Sequence, residues 1–208
     1  MQEATGTARY EPLVRRPRSA QTRARLLRSA LSLFWERGYH GAGTNEIGAA
    51  AGLTGPSIYR HFATKDDMLV AAVLQGADKL AAGAIAAQHE TDPRRALELL
   101  CASFVDMALK DPEVLGVYFY ESRHVPAEAK MELDREGHHY LHHYERRLAA
   151  LRPDLSASEV QLRVVAASQM IAGTCTDRPK LPKKVLRDSL TRRMLATLLA
   201  DADLEAVT

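Results

Sequence analysis

The stretch from Thr44 to Phe62, TNEIGAAAGLTGPSIYRHF, admits few folds. Ile47, Ala50, Ala51, Leu53, Ile58 and Phe62 recur at spacings that place them between two short helices crossing at a tight turn, where they share one small core. That leaves Thr44, Thr54, Ser57, Tyr59 and Arg60 for the outside. The outward set is polar, hydrogen-bonding and not acidic, as contact with phosphate requires. Gly52 marks the end of the first helix and Thr54 caps the second. Pro56 is tolerated there because the first turn has no intrahelical partner for the N–H it lacks. The pattern predicts a helix-turn-helix whose second helix carries Tyr59, Arg60 and His61, a profile suited to reading DNA.

Helical patterning also surrounds this unit. From Ser19, SAQTRARLLRSALSLFWERG sets Leu27, Ala30, Leu31 and Phe34 on one face, with Arg23, Arg25 and Arg28 largely off it, and Gly38 is placed to stop the helix. Thr44 is placed as the next N-cap, with Glu46 near the positive helix end. After Phe62, Lys65, Asp66 and Asp67 open a helix of about six turns by its periodicity. Regularly alternating apolar runs are missing from the sequence, so an all-α fold of about nine helices is expected.

The net charge of +2 is unevenly spread. Residues 1–66 hold ten Lys/Arg against five Asp/Glu, a balance of +5, and residues 67–208 carry the remaining −3. The basic half is the half with the helix-turn-helix. Residues 1–17 lack periodicity and end in Arg15, Arg16 and Pro17, which reads as a flexible arm, either simply solvated or resting on phosphates.

The motifs FWERGYHG, TNEIGAAAGLT and SIYRHFATKDDML, with a length near 200 residues, resemble the tetracycline-repressor family of regulators over residues 19–70. The resemblance implies a three-helix DNA-binding domain over residues 18–66 and a helical ligand-binding and dimerisation domain over residues 67–208. It also implies phosphate contact from Tyr59 and Lys65. By their chemistry Thr44 and Thr54 suit phosphate oxygens at helix starts, and Arg60 and Ser57 suit base edges. His61 stands where the family has an aromatic or a histidine and is either a structural residue or a DNA contact. Gly55-Pro56 departs from the family, many of whose members carry a longer side chain there, so Gly55 leaves the start of the helix with little to offer a base.

In the second half, apolar stripes on the last two helices, including Val164, Ile171 and Cys175 in one and Leu186, Leu190 and Met194 in the other, read either as core or as one side of a four-helix bundle between two copies. The family resemblance favours the bundle and hence a homodimer on a palindromic double-stranded operator, with recognition helices about 34–36 Å apart. The segment GVYFYESRH followed by Val125-Pro126 supplies Tyr120, Arg123 and His124, which with Phe104, Met107 and Met170 on neighbouring helices are the candidate ligand pocket. The ESRHVP stretch resembles members that respond to acyl-CoA, which makes an acyl-CoA or another hydrophobic small molecule the expected effector and release from DNA its expected result.

Other chemistry finds less support. His138, His139, His142 and His143 have helical spacing for two imidazoles on one metal, and Asp134 is one turn away, but a second ligand segment is missing. Neither a metal nor a cofactor is expected. A phosphate loop, a nucleophile elbow and paired carboxylates are all missing too, so an enzyme is not expected. The alternatives to a ligand-responsive repressor are a ligand-independent architectural DNA binder and a small histidine-cluster metalloenzyme. Cys101 and Cys175 read as buried thiols in a reducing compartment. Without an apolar run near the roughly 18 residues needed to span a bilayer, or a signal-peptide core, the cytoplasm is expected and a membrane is not.

Overall fold

Each long periodic stretch of the sequence becomes a helix. The computed structural model describes residues 18–85, 87–176 and 180–200, without the side chains of 132, 136–139 and 176. The basic arm expected over residues 1–17, and the side chains of His138 and His139, lie outside the described residues. Among these there are nine α-helices and no strand. They are α1 (Arg18–Gly41), α2 (Thr44–Ala50), α3 (Gly55–Ile58), α4 (Lys65–Ile85), α5 (Pro93–Lys110), α6 (Pro112–Gly116), α7 (Ala127–Leu151), α8 (Ala157–Thr176) and α9 (Lys183–Leu199). A five-residue π-helical turn, Val117–Glu121, and a 3-10 turn, Ser122–His124, join α6 to α7.

Local chemistry sets most boundaries. The Asp92 carboxylate accepts the Arg94 N–H at 2.9 Å and opens α5, with Pro93 next in the chain. Thr64 and Asp67 cap α4 reciprocally, each side chain accepting the other's backbone N–H, at 3.0 and 2.9 Å. Ser156 and Glu159 form a capping box at α8. The C-terminal carbonyls of α9 are met by two arginines from other elements: Arg152 donates to Leu199 and Ala200, and Arg163 to Leu198 and Ala200.

Two apolar cores result. One lies around α1 to α4 and includes Leu26, Phe34, Ile47, Ile58, Phe62, Met68, Leu69, Ala72 and Val73. The other, around α5, α7, α8 and α9, includes Leu97, Leu100, Cys101, Phe104, Tyr144, Leu148, Val164, Ile171, Leu190 and Met194. Helix α4 serves both, with Leu80 and Ala84 in the second. It is 21 residues long with a mean hydropathy of 1.4 over its best 18-residue window, closer to a membrane-spanning composition than the sequence reading allowed, and 44% of that window is buried in the protein. That hydropathy follows from packing on two sides.

Two buried glycines set helix approach. A Cβ on Gly48 would fall 2.0 Å from Ile58 Cδ1, and one on Gly116 would fall 1.7 Å from Trp35 Cζ3. The first lets α2 meet α3, and the second lets the backbone of α6 lie against the Trp35 ring of α1.

Cys101 and Cys175 are buried thiols, and no disulfide joins them. Burial, with a smaller push from the Glu98 charge, raises the Cys101 thiol to about 12. Native protein at pH 8 should therefore react with a thiol reagent far more slowly at Cys101 than a free cysteine does, by about a thousandfold or more from the thiolate fraction. Both cysteines should react promptly in denaturant. Fast labelling of Cys101 in the native state would mean that this core opens readily.

Candidate functional site

Helices α2 and α3 stand where the sequence placed them, with three local differences. The N-cap of α2 is Gly43, so Thr44 is the first helical residue rather than the cap. Glu46 accepts the Gly43 N–H at 3.1 Å and pairs with Arg37 at 2.9 Å, and these partners, the backbone N–H first, hold its carboxyl below the usual range. Ala50, expected in the shared core, is exposed, and Leu53 is half-buried. The third difference is in the recognition element. Helix α3 is only four residues long, and Tyr59, Arg60 and His61 lie in the turn after it. That turn keeps helix-like bonds, with the Ile58 carbonyl accepting from His61 N–H at 2.9 Å and Phe62 N–H at 3.1 Å.

Thr54 caps α3 through its backbone, its carbonyl accepting from Ser57 and Ile58, and its side chain makes no capping bond. Gly52 supplies the left-handed turn between the helices at φ +69°. Thr54, Tyr59 and Arg60 are exposed, Tyr59 by 56%, while Thr44, Gly55, Ser57 and His61 are half-buried. Beside them stands a residue the sequence reading left in the background: Arg23 of α1 places its guanidinium 4.3 Å from the centre of the Phe62 ring. Its signal was its place off the apolar face of α1. Lys65, expected on phosphate, is turned inward, donating to the Tyr39 carbonyl at 3.0 Å and the Ala42 carbonyl at 3.2 Å and lying 4.3 Å over the Tyr39 ring.

Tyr39 is a junction. Its hydroxyl donates to Asp66, and burial together with that carboxylate raises the phenol to about 12. Its ring stacks on His124 at 5.5 Å between centroids. Its N–H donates to the buried Glu121 carboxylate at 2.8 Å. The residue before it, Gly38, breaks α1 with φ +71°. The sequence stop at Gly38 is therefore a kink, with helical structure resuming to Gly41.

The expected ligand pocket is divided by the structure. Phe104 and Met107 lie with Leu80, Ser103, Tyr140 and Tyr144 around a cavity of about 10 Å³ between α4, α5 and α7. Tyr140 donates to Tyr144 at 2.9 Å and Tyr144 to the Leu100 carbonyl at 2.8 Å. A second cleft, of about 250 Å³, is lined by Tyr118, Phe119, Ser122, Leu133, Asp134, Leu141 and Gln169. Met170 instead packs at the α8–α9 contact, with Thr197 3.9 Å from its sulfur, and Tyr120 is partly exposed. Arg123 and His124 are not in either cavity. Arg123 Nε donates to His124 Nε2 at 3.1 Å, and the His124 ring lies 4.6 Å from His40, so this pair sits at the end of α1. The extra residue in the π turn turns the end of GVYFYESRH away from the interior.

The residues expected at a dimer contact are also reassigned. Val164, Ile171, Cys175, Leu186, Leu190 and Met194 are all buried inside the single chain, where α8 and α9 pack on α5 and α7. With exposures of 0–7% these six side chains have little surface left for a partner. The opposite face of α8 is apolar and open, with Leu162 66% and Val165 39% exposed, and Val185 of α9 is exposed as well. Among the described residues, no three His, Cys, Asp or Glu side chains stand as a group able to hold a metal. His142 lies 3.9 Å from Glu145.

Known proteins share both the motif and the fold. Residues 26–72, which run from within α1 into α4, match the model of bacterial regulatory proteins of the tetR family. A curated relative, the HTH-type transcriptional activator FasR of Mycolicibacterium smegmatis, is 35% identical over 100 residues, 48% of this chain and 46% of FasR. The chain thus spans about half the length of that relative. A tetR-family regulatory protein from Rhodococcus RHA1 superposes with a TM-score of 0.75 at 20% identity, covering 86% of this chain and 95% of that one. AibR, in complex with isovaleryl coenzyme A and operator DNA, gives 0.73 at 17% identity over 83% and 97%. At these identities the likeness to the solved structures is one of fold.

Proposed function

We propose that the chain is a member of the tetR family of bacterial regulatory proteins, whose model it matches over residues 26–72, and that it is a cytoplasmic, homodimeric repressor that binds a palindromic operator and is released by a hydrophobic effector. The observation that carries the DNA-binding part is the exposed, non-acidic face formed by Thr54 at the start of α3 and by Tyr59 and Arg60 on the turn after it, with Arg23 beside it. Arg60 is the base reader and Ser57 its half-buried companion. Thr44, Thr54, Tyr59 and Arg23 face phosphates. Lys65 uses two of its three donors inside the protein and has one left for phosphate. The two copies meet through the open face of α8 around Leu162 and Val165.

The effector we infer is an acyl-CoA. It is supported by the apolar interior between α4, α5 and α7 and by the shared fold with AibR, which binds isovaleryl coenzyme A. The acyl chain would enter beside Phe104 and Met107, which requires the cavity there to widen. FasR is named an activator, and that favours a second reading in which operator occupancy stimulates transcription. Selection of operator from random DNA, and then a promoter reporter with the selected site, separates the two. Loss of binding on adding CoA thioesters of several chain lengths tests the effector, and no response to any of them would remove that class.

Arg60→Ala should weaken binding to the selected operator by about 1–3 kcal/mol and weaken binding to scrambled DNA less. An equal loss on both would make Arg60 a phosphate contact.

A further inference from the structure

We propose that Glu121 is the positioning residue through which the sensor half sets the DNA reader, by holding the Tyr39 amide from the π turn. This rests on the DNA-binding reading above and adds to it a specific coupling element.

Three charged or polar side chains are buried among the described residues: Glu121, Arg147 and Ser168. Arg147 donates to the Ala87 carbonyl at the end of the α4 region, and Ser168 donates to Val164 one turn back in its own helix. Both bonds stay within one half of the molecule. Glu121 alone reaches across, from the segment after α6 to the kink of α1, 82 residues earlier. A carboxylate on a backbone N–H is a charge-assisted bond, stronger and more directional than a neutral one.

The group it holds governs the reader. Tyr39 lies between the Gly38 kink and the start of α2, and its carbonyl and hydroxyl are taken by Lys65 and Asp66 in the first turn of α4. Glu121 therefore closes a set of bonds that fixes the end of α1 against both α4 and the sensor segment. The His124 ring stacked on Tyr39 comes from that same segment.

Glu121 is the last residue of the π turn Val117–Glu121. A π turn contains one more residue than an α turn, and such turns mark functional positions. Closing Val117–Glu121 to α geometry would rotate the chain beyond the turn by about 100° and shift it by about 1.5 Å, taking Glu121 off the Tyr39 amide. The same turn, through Tyr118 and Phe119, lines the cleft of about 250 Å³. A molecule entering that cleft acts on the segment that bears the latch. The wall of the cleft and the hold on Tyr39 thus share one five-residue stretch.

The test uses the full chain with Glu121→Ala and Glu121→Gln. Hydrogen exchange is followed in the peptide covering residues 36–42, and affinity is measured on the operator selected by the wild-type protein. In E121A, exchange at residues 36–42 should speed up by about tenfold while α5 and α8 are unchanged. Operator affinity should fall by about tenfold, a typical coupling factor. E121Q, whose amide oxygen still accepts from the same N–H, should recover most of both. Unchanged exchange in E121A overturns the latch, and faster exchange with operator affinity within twofold of wild type overturns the coupling. Equal losses in both variants that track a fall in Tm reduce Glu121 to packing and overturn the proposal as well. A wild-type chain that selects no operator at all fails the DNA-binding reading itself, an outcome distinct from these.

Discussion

Gly116→Ala is expected to cost about 2–3 kcal/mol of stability, the size of a tight overpacking. On helix propensity alone the same change should gain about 1 kcal/mol, so the sign of the result is diagnostic. The reason is the Trp35 ring. An alanine Cβ would stand 1.7 Å from Cζ3 and 2.2 Å from Cε3, and an indole is rigid where a leucine end would swing aside. Either the ring leaves its place against α6 or α6 retreats from α1. For a chain of this length the loss corresponds to a fall in Tm of about 5–10 °C. Trp35→Leu should relieve most of it, so a double-mutant cycle between the two positions should show strong coupling. A Gly116→Ala protein whose Tm stays within about 2 °C of wild type would show that the contact is soft.

The second large effect concerns assembly. Leu162→Glu combined with Val165→Glu should leave the fold intact, because both side chains already face solvent in the single chain. The variant should be monomeric by analytical ultracentrifugation, and its operator affinity should fall at least about 100-fold, since a monomer engages one half-site and loses the gain of linked binding. Mutating Leu190 and Met194 is a poorer test. Those two are in the chain's own core, and charge there would unfold the protein before it reported on dimers. A folded dimer carrying both glutamates would remove α8 from the interface.

The contrast between those two pairs shows where sequence is legible. Leu190 and Leu162 are both apolar residues on late helices, and periodicity finds the stripe on each helix without saying whether its own chain or another copy covers it. The helices themselves were readable because caps and breakers are local: Gly52, Thr54 and Lys65-Asp66-Asp67 each mark a boundary that the structure keeps. The helix-turn-helix was readable for the same reason. Its exact extent was not, because the end of α3 depends on how Ile58 and Phe62 meet the rest of the core. Glu121 was visible only as one letter in an aromatic run, and the extra residue of the π turn, which aims it at Tyr39, is a property of three-dimensional packing. The same turn took Arg123 and His124 out of the ligand pocket that their proximity to Tyr120 had suggested.

Helix α4 bears on how such a protein can be recombined. Its first four turns place Met68, Leu69, Ala72, Val73 and Ala77 in the core around α1 to α4, to which Val114, Val117, Val125 and Leu133 also contribute from beyond it. A chimera cut at residue 66 would transfer the residues proposed to contact DNA without the side chains that close their interior. The portable unit is larger than the motif that identifies it: it extends at least through Ala77 and takes in a compatible surface from the α6 region. Exchange of specificities between relatives is therefore expected to proceed by substitution on the exposed turn after α3, where Tyr59 and Arg60 can change without disturbing either core.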